Sequence, residues 1–390
     1  MERRKFTPRL RRVTLRIVNY KYYKTKKIKL GVVADLCSIM GIINESGKLL
    51  SAKHIIEGIT TMNERCNGLG GGFAAYGLYP EYKDYYALHV LLENFELKDH
   101  VAELLKDYVN IYKDEEIETR NVDGVAQDYI PWRFFVDVPE RYTSDADNYI
   151  IDLAMKINDS GGALVISSGK NMGVFKAIGY PDQVARLYKL DSYKAYMWLA
   201  HGRYPTNTRG WWGGAHPFSI LDYSIVHNGE ITSYGTNKRF LELYGYKCSY
   251  FTDSEVLAYL WDLLVRRHKL PIDLASQVLA PPFWEKIERM PPEKRHVAEA
   301  LRMTYGPAMV NGPFGIVIAT GSGLTGIAGN GSMVSLSDRI KLRPLVCARK
   351  DDYTFMASEE SAIKAVCNDP DLVWAPRAGK PTVAMVNADV

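Results

Sequence analysis

Between Tyr193 and His201 the chain alternates as Tyr193-x-Ala195-x-Met197-x-Leu199-x-His201, the two-residue period of a β-strand. The intervening positions are largely apolar as well. Such a strand is covered on both faces, so it runs through the interior rather than along a half-solvated sheet. Helical segments flank the strand-rich regions toward both ends of the chain, which suits two packed sheets between helical layers.

The same periodicities place the other elements. Residues 38–44 read as a strand, and Ile55, Ile56, Ile59 and Met62 mark one face of a helix over 52–66. Asn67-Gly68-Leu69-Gly70-Gly71-Gly72-Phe73 leads into a strand over 73–78, whereas a phosphate-cradling loop leads into a helix. The run therefore reads as a point of close backbone approach. Strands are expected over 83–90 and 132–138, with a helix over 101–111 and a charged loop between them. A helix over 146–157 stops at Asp159-Ser160-Gly161-Gly162; strands follow over 163–167, 174–178 and 223–227, the last ending at the turn dipeptide Asn228-Gly229. Asp253 or Ser254 caps a helix that runs to Arg267. Prolines at 281–282 and 291–292 punctuate two more helices, before strands over 315–320, 345–349 and 353–357 and a short helix to Val366. There is no internal repeat and no second fold after residue 330.

Charge is unevenly placed. Residues 1–36 hold twelve Lys or Arg against Glu2 and Asp35, and the remainder carries 37 basic and 43 acidic residues, so the overall +4 belongs to the first 36 residues. A nucleic-acid-binding arm is one reading of such a block. A removable leader (1–36) before a single domain (37–390) is the favoured one, because the block stops just before Cys37. No partnership with nucleic acid is expected. No apolar run approaches the ~20 residues of a membrane-spanning helix, and Leu30–Ala34 is too short for a secretory signal. Cysteines 37, 66, 248, 347 and 367 are odd in number and form no CxxC pair, which argues against disulfides, iron–sulfur clusters and metal sites and fits a cytoplasmic location.

Three stretches carry chemistry: Cys37-Ser38-Ile39-Met40-Gly41, with a thiol at the head of a core strand; His201-Gly202-Arg203-Tyr204-Pro205-Thr206-Asn207-Thr208; and Ile225-Val226-His227-Asn228-Gly229-Glu230-Ile231. Together with His216-Pro217-Phe218 between the last two, they resemble the class II glutamine amidotransferases, a branch of the N-terminal-nucleophile hydrolases. The wording is most similar to the amidotransferase part of glutamate synthase, and Asp338-Arg339-x-x-Leu342-Arg343-Pro344-Leu345 and Ala357-Ser358-Glu359-Glu360 resemble its later elements. The resemblance implies an α+β fold, a four-layer αββα sandwich of two mainly antiparallel sheets. It also implies that Cys37 is the nucleophile and that its own α-amine, freed by removal of the leader, is the base. An α-amine titrates near ~7.7–8.0, suited to that work.

Glutamine hydrolysis also needs an oxyanion site and groups for the amino-acid end. The resemblance assigns the first to the Asn228 side chain and the Gly229 N–H. It gives the α-carboxylate to Arg203 with Thr206, the α-ammonium to Asp253, and a pocket wall to Tyr204. Arg65 stands where the family has an arginine near the cysteine; an arginine on helix-end carbonyls is the other reading. His201, His216 and His227 lack metal-ligand spacing and read as packing or loop-holding groups. Trp211-Trp212-Gly213-Gly214 reads as a loop that closes over substrate or meets a partner.

The chain departs from the family at Ser38, where glycine is usual, and at Thr232–Asn237. It holds no flavin or iron–sulfur portion, so the resemblance is to a glutaminase subunit with no cofactor of its own. Its partner would be an ammonia-accepting synthase subunit carrying FMN and iron–sulfur, in a hetero-oligomer. An amidotransferase feeding another acceptor enzyme, or a silent glutamine-binding regulatory module, are the alternatives.

Overall fold

The Cys37 strand and the doubly covered strand turn out to be neighbours at the middle of one sheet. The computed structural model describes residues 37–126, 128–205, 210–322 and 331–387, all within one compact unit that spans Ala34 to Val390. The central strands are β1 (Ser38–Asn44), β2 (Gly71–Tyr76), β3 (Met172–Ala177), β4 (Met197–Gly202), β5 (Phe218–Ile220), β6 (Tyr223–Gly229), β7 (Phe314–Thr320), β8 (Ser332–Ser337), β9 (Val346–Lys350), β10 (Tyr353–Ala357), β11 (Leu372–Trp374) and β12 (Thr382–Met385). They form a seven-stranded sheet in the order β11-β9-β10-β1-β4-β2-β3 and a five-stranded sheet in the order β5-β6-β7-β8-β12, with antiparallel pairing throughout.

The sheets face each other, with β1 and β4 lying against β6 and β7. Helices α1 (Ala52–Thr60), α2 (Pro181–Leu187) and α4 (Glu360–Val366) pack on the first sheet, and α3 (Asp253–Asp262) packs on the second. The fold is therefore α+β, with two antiparallel sheets between helical layers. Alternation explains how one strand serves two cores: Val317 and Ala319 of β7 enter the core shared with β1 and β4, while Ile316 and Ile318 enter the core shared with α3. Each valine or isoleucine so withdrawn from water contributes roughly 1.5–3 kcal/mol. β1 and β4 are buried along their whole length; the strand expected over 193–201 is broken at Tyr196, and its first part, Lys194–Ala195, pairs instead with Leu50–Ser51.

A separate four-stranded sheet holds Asn110–Glu116, Ile130–Asp137, Tyr86–Leu92 and Ala163–Ser167, in that order. Here expectation and structure differ. The helix expected over 101–111 is Phe95–Tyr108, and the charged stretch after it is a strand, Asn110–Glu116, exposed at every second residue. A charged edge strand is how a sheet margin avoids pairing with other chains, and it hides the strand from a reading based on apolar alternation. Asn228 and Gly229 form no turn; they are the last two residues of β6, paired with Gly315 and Phe314 of β7. The cap of α3 is Thr252, whose side chain accepts the Glu255 N–H at 3.2 Å, which leaves Asp253 and Ser254 available for other contacts. None of the described helices is long and apolar enough to cross a membrane.

Candidate active site

Strand register assembles the site. Ser38 pairs with Gly202 at one end of β1 and β4, so the residues just beyond, Cys37 on one side and Arg203-Tyr204 on the other, become neighbours. The Tyr204 N–H donates to the Cys37 sulfur at 3.3 Å. Arg65, in a short 3-10 turn after α1, donates from Nε to the Cys37 carbonyl at 3.4 Å and pairs with Glu359. Burial pushes the Cys37 thiol up; the Tyr204 N–H and the positive charges of Arg203 and Arg343 pull it back, and Asp253 pushes it up again. Among the described residues, no histidine is hydrogen-bonded to the sulfur.

The second sheet brings Asn228 to the same end. Its side chain is fully buried, with Nδ2 3.4 Å from Ser358 Oγ, and Ser358 Oγ accepts the Ile39 N–H of β1 at 3.1 Å. Ser358 thus links the amide of Asn228 to the strand that begins beside Cys37. The Glu230 N–H donates to the Pro313 carbonyl at 3.0 Å, while the Phe314 N–H donates to Asp338 Oδ2 at 3.2 Å and the Phe314 carbonyl accepts the Asp338 N–H at 2.9 Å. Gly229 is therefore the non-bonded member of its pair with Phe314, and its N–H points to the other edge of β6. A Cβ at 229 would strike the Pro313 carbonyl oxygen, and φ is +149° there, so only glycine fits.

Two charges flank the thiol. Arg203 is buried, its N–H donating to the Gly70 carbonyl at 2.8 Å, and burial lowers its pKa while Cys37 and Asp253 raise it. Asp253 stands at the first turn of α3, with Oδ2 accepting the Ile231 N–H at 3.0 Å and Oδ1 near Ser254 Oγ at 3.2 Å.

Ser254, which sequence reasoning offered only as a helix cap, ties these parts together. Its hydroxyl lies 2.7 Å from His216 Nε2 and 3.0 Å from His227 Nδ1, and His201 Nε2 lies 3.0 Å from the His227 carbonyl. His201 and His216 stack with centroids 3.8 Å apart. His201 donates from Nε2 to the His227 carbonyl, and the Ser254 hydroxyl is shared among His216, His227 and Asp253. The other nitrogens, His201 Nδ1, His216 Nδ1 and His227 Nε2, are buried and lack a partner among the described residues. Burial pushes all three pKa values down, His201 to about 3. These histidines hold loops; among the described residues, no group of three or more His, Cys, Asp or Glu is arranged for a metal.

The structure thus brings Cys37, Arg65, Arg203, Tyr204, Asn228, Gly229 and Asp253 to one end of the facing sheets. Thr206 and the block 1–36 lie outside the described residues. Arg343 joins the site, its charge acting on Cys37 and His227; its only advance signal was a place in a stretch that resembled a late family element.

Comparison with known proteins agrees on class. A family model described as glutamine amidotransferases class-II matches residues 148–369, a span that contains Arg203, Asn228, Gly229 and Asp253 but not Cys37. The chain belongs to the class II glutamine amidotransferases. It is 47% identical to an uncharacterized protein of Archaeoglobus fulgidus over 90% of this chain and 93% of that protein. It is 25% identical to a provisionally named glutamine amidotransferase of Methanothermobacter thermautotrophicus, over 86% of this chain and 96% of that protein. A glutamine–fructose-6-phosphate aminotransferase of Francisella tularensis is 29% identical across 30% of this chain and 20% of its own length. Among solved structures, a glutamine phosphoribosylpyrophosphate amidotransferase from B. subtilis superposes with a TM-score of 0.45 at 14% identity, covering 90% of this chain and 47% of that one.

Proposed function

We propose that this chain hydrolyses glutamine to glutamate and ammonia at Cys37 and passes the ammonia to a separate synthase subunit that carries flavin and iron–sulfur, the pair forming a cytoplasmic glutamate synthase. The observation that carries the hydrolytic part is electrostatic. The Cys37 thiol lies in the fields of a buried guanidinium, Arg203, and of a carboxylate, Asp253. That pair matches the α-carboxylate and α-ammonium of a free amino acid, which a glutamine residue inside a peptide lacks. The wording of the stretch Arg203 to Thr208 supports the glutamate synthase assignment of the partner.

In this reading the sulfur attacks the γ-amide carbon, its proton passing to the α-amine that cleavage before Cys37 frees. The oxyanion is met by Asn228 Nδ2 and the Gly229 N–H; one such donor is worth ~2.7–4 kcal/mol. The amine then gives the proton to the departing nitrogen, ammonia leaves, and water hydrolyses the thioester to glutamate and restored thiol. The amine is required because the thiol is pushed up and the nearby histidines are neutral. Arg65 would fix the Cys37 carbonyl while the amine forms and works, Tyr204 would wall the pocket, and Thr206 would add a hydroxyl to the carboxylate.

The test is ammonia release from glutamine by the purified chain and its Cys37→Ala variant, with the mass of the mature protein measured alongside. The expected outcome is loss of all release in the variant and a mature chain beginning at Cys37. Release that survives the substitution, or an active chain that begins at Met1, overturns the mechanism. The likeness to sugar aminotransferases favours a second reading for the acceptor alone. Co-purification of a flavin, iron–sulfur protein supports the first reading, and of a sugar-binding enzyme the second.

A further inference from the structure

The Trp211–Gly214 stretch, read from sequence as a loop of open purpose, continues to Pro217 and is pinned from below by a lysine. Lys176 of β3 is buried, and its ammonium donates to the carbonyls of Gly213 at 3.2 Å, Ala215 at 2.9 Å and Pro217 at 3.4 Å. Three donors thus meet three acceptors, the full capacity of an ammonium. The Phe218 and Tyr250 rings lie 4.5 and 5.0 Å from the nitrogen and add cation–π attraction. Burial pulls the lysine down, the charge of Glu255 pushes it up and that of Arg203 pulls it down, to about 7 in all.

The glycine run of β2 makes the reach possible. Gly72 pairs with Lys176, and a Cβ there would lie 2.7 Å from the Lys176 Cβ and would strike the His216 carbonyl oxygen. On its far side the pinned loop meets the site: a Cβ at Gly214 would lie 2.8 Å from Arg203 Nη1 and 2.7 Å from Trp211 Nε1, and a Cβ at Gly70 would lie 3.1 Å from Arg203 Cδ. Arg203 is held in a slot between two glycines, and one wall of that slot is the loop fastened by Lys176.

We propose that Lys176 is a positioning residue for substrate selectivity: by fastening residues 213–217 it fixes the wall against which Arg203 is aimed at the α-carboxylate. The segment is accordingly a fixed wall, not a closing flap. The proposal rests on the reading that Arg203 takes that carboxylate. A buried lysine that merely stabilised the fold would affect every substrate alike; one that aims Arg203 affects only substrates with an α-carboxylate.

The experiment compares glutamine with its α-amide, in which the α-carboxylate is a carboxamide, as substrates for ammonia release from the γ-position. The proteins are wild type, Lys176→Met and Gly214→Ala; the alanine crowds Arg203 while leaving the lysine in place. Wild type is expected to favour glutamine. In each variant KM for glutamine should rise about tenfold, the loss of one well-aimed charged contact, with kcat nearly kept and the α-amide kinetics unchanged. An equal loss on both substrates, or an unchanged preference for glutamine, overturns the proposal. Should Lys176→Met fail to fold, Gly214→Ala decides alone. Wild-type enzyme that treats the two substrates alike overturns the Arg203 reading first, and this proposal with it.

Discussion

The two halves of the site are held by different means. Cys37, Asn228 and Gly229 sit at or beside strand ends, and backbone register fixes them: Ser38 opposite Gly202, Asn228 opposite Gly315. Arg203 lies one residue past β4, its backbone bonded to Gly70 and Asn67, and Asp253 sits at a helix start; for both, the charged end of the side chain is aimed by groups outside the ladder. Around them the structure places three neutral histidines and Ser254, all buried and joined by hydrogen bonds, and the buried Lys176, which is bonded to the loop carbonyls of Gly213, Ala215 and Pro217. The difference teaches that a strand end needs little side-chain support to aim a reacting atom, whereas a charge outside a sheet needs a network of its own. Buried networks of this kind are costly when half satisfied, so each member has a measurable job.

The sharpest way to break the comparison is to damage the strand-held half. Asn228→Ala removes an oxyanion donor that matters only once the tetrahedral intermediate forms, so kcat should fall about 10²–10³-fold with KM for glutamine little changed. Steady-state kinetics decide it. A large rise in KM would mean that Asn228 also positions the bound substrate, and the two halves would not be separable. Ser254→Ala strikes the other half. It cuts His216 and His227 from their shared hydroxyl and takes a donor from Asp253. KM should rise about tenfold and kcat should fall less, since a hydrogen bond to a charged group contributes about 1.5–3 kcal/mol. If kcat alone fell, His227 would be serving its neighbour Asn228 rather than the charge pair.

Much of the strand-held half was legible beforehand. Residues 38–44, 163–167 and 353–357 emerged with the bounds expected, because continuous apolar runs between turn residues have few other solutions. Strand Asn110–Glu116 was hidden by its charges, and β8 (Ser332–Ser337) by its three serines. Asn228-Gly229 looked like a turn because that dipeptide favours one locally, yet seven residues of pairing with β7 hold it extended. At the site, the resemblance pointed to Cys37, Arg203, Asn228 and Asp253. It left Lys176 and Ser254 unmarked, since a lysine under a strand and a serine in a first helical turn are ordinary in sequence. Their roles arise only when register sets Lys176 under a loop some forty residues on, and when Thr252 takes the cap and frees Ser254.

The smallest effect expected separates the halves by acid. Three of the four buried histidines, His201, His216 and His227, belong to the charge-holding half; His89 lies apart, bonded to Tyr79 and the Val174 carbonyl. All four have native pKa values pushed below the usual 6.5, His89 and His201 to about 3. Between those values and 6.5 the unfolded chain binds protons that the native protein refuses, so stability is full above about 6.5 and declines as pH falls from there toward 3. A melting temperature that drops steadily from pH 7 to pH 4 is the expected result, with the steepest loss below 6. Replacing His89 with glutamine should lessen that slope while leaving KM for glutamine alone. Replacing His216 with glutamine should lessen the slope and raise KM, because His216 shares the Ser254 hydroxyl that steadies Asp253. A flat melting curve over that range would mean the histidines are charged in the native protein. The network would then be a cluster of cations beside Arg203, and the argument that neutral rings hold the recognition half would fall.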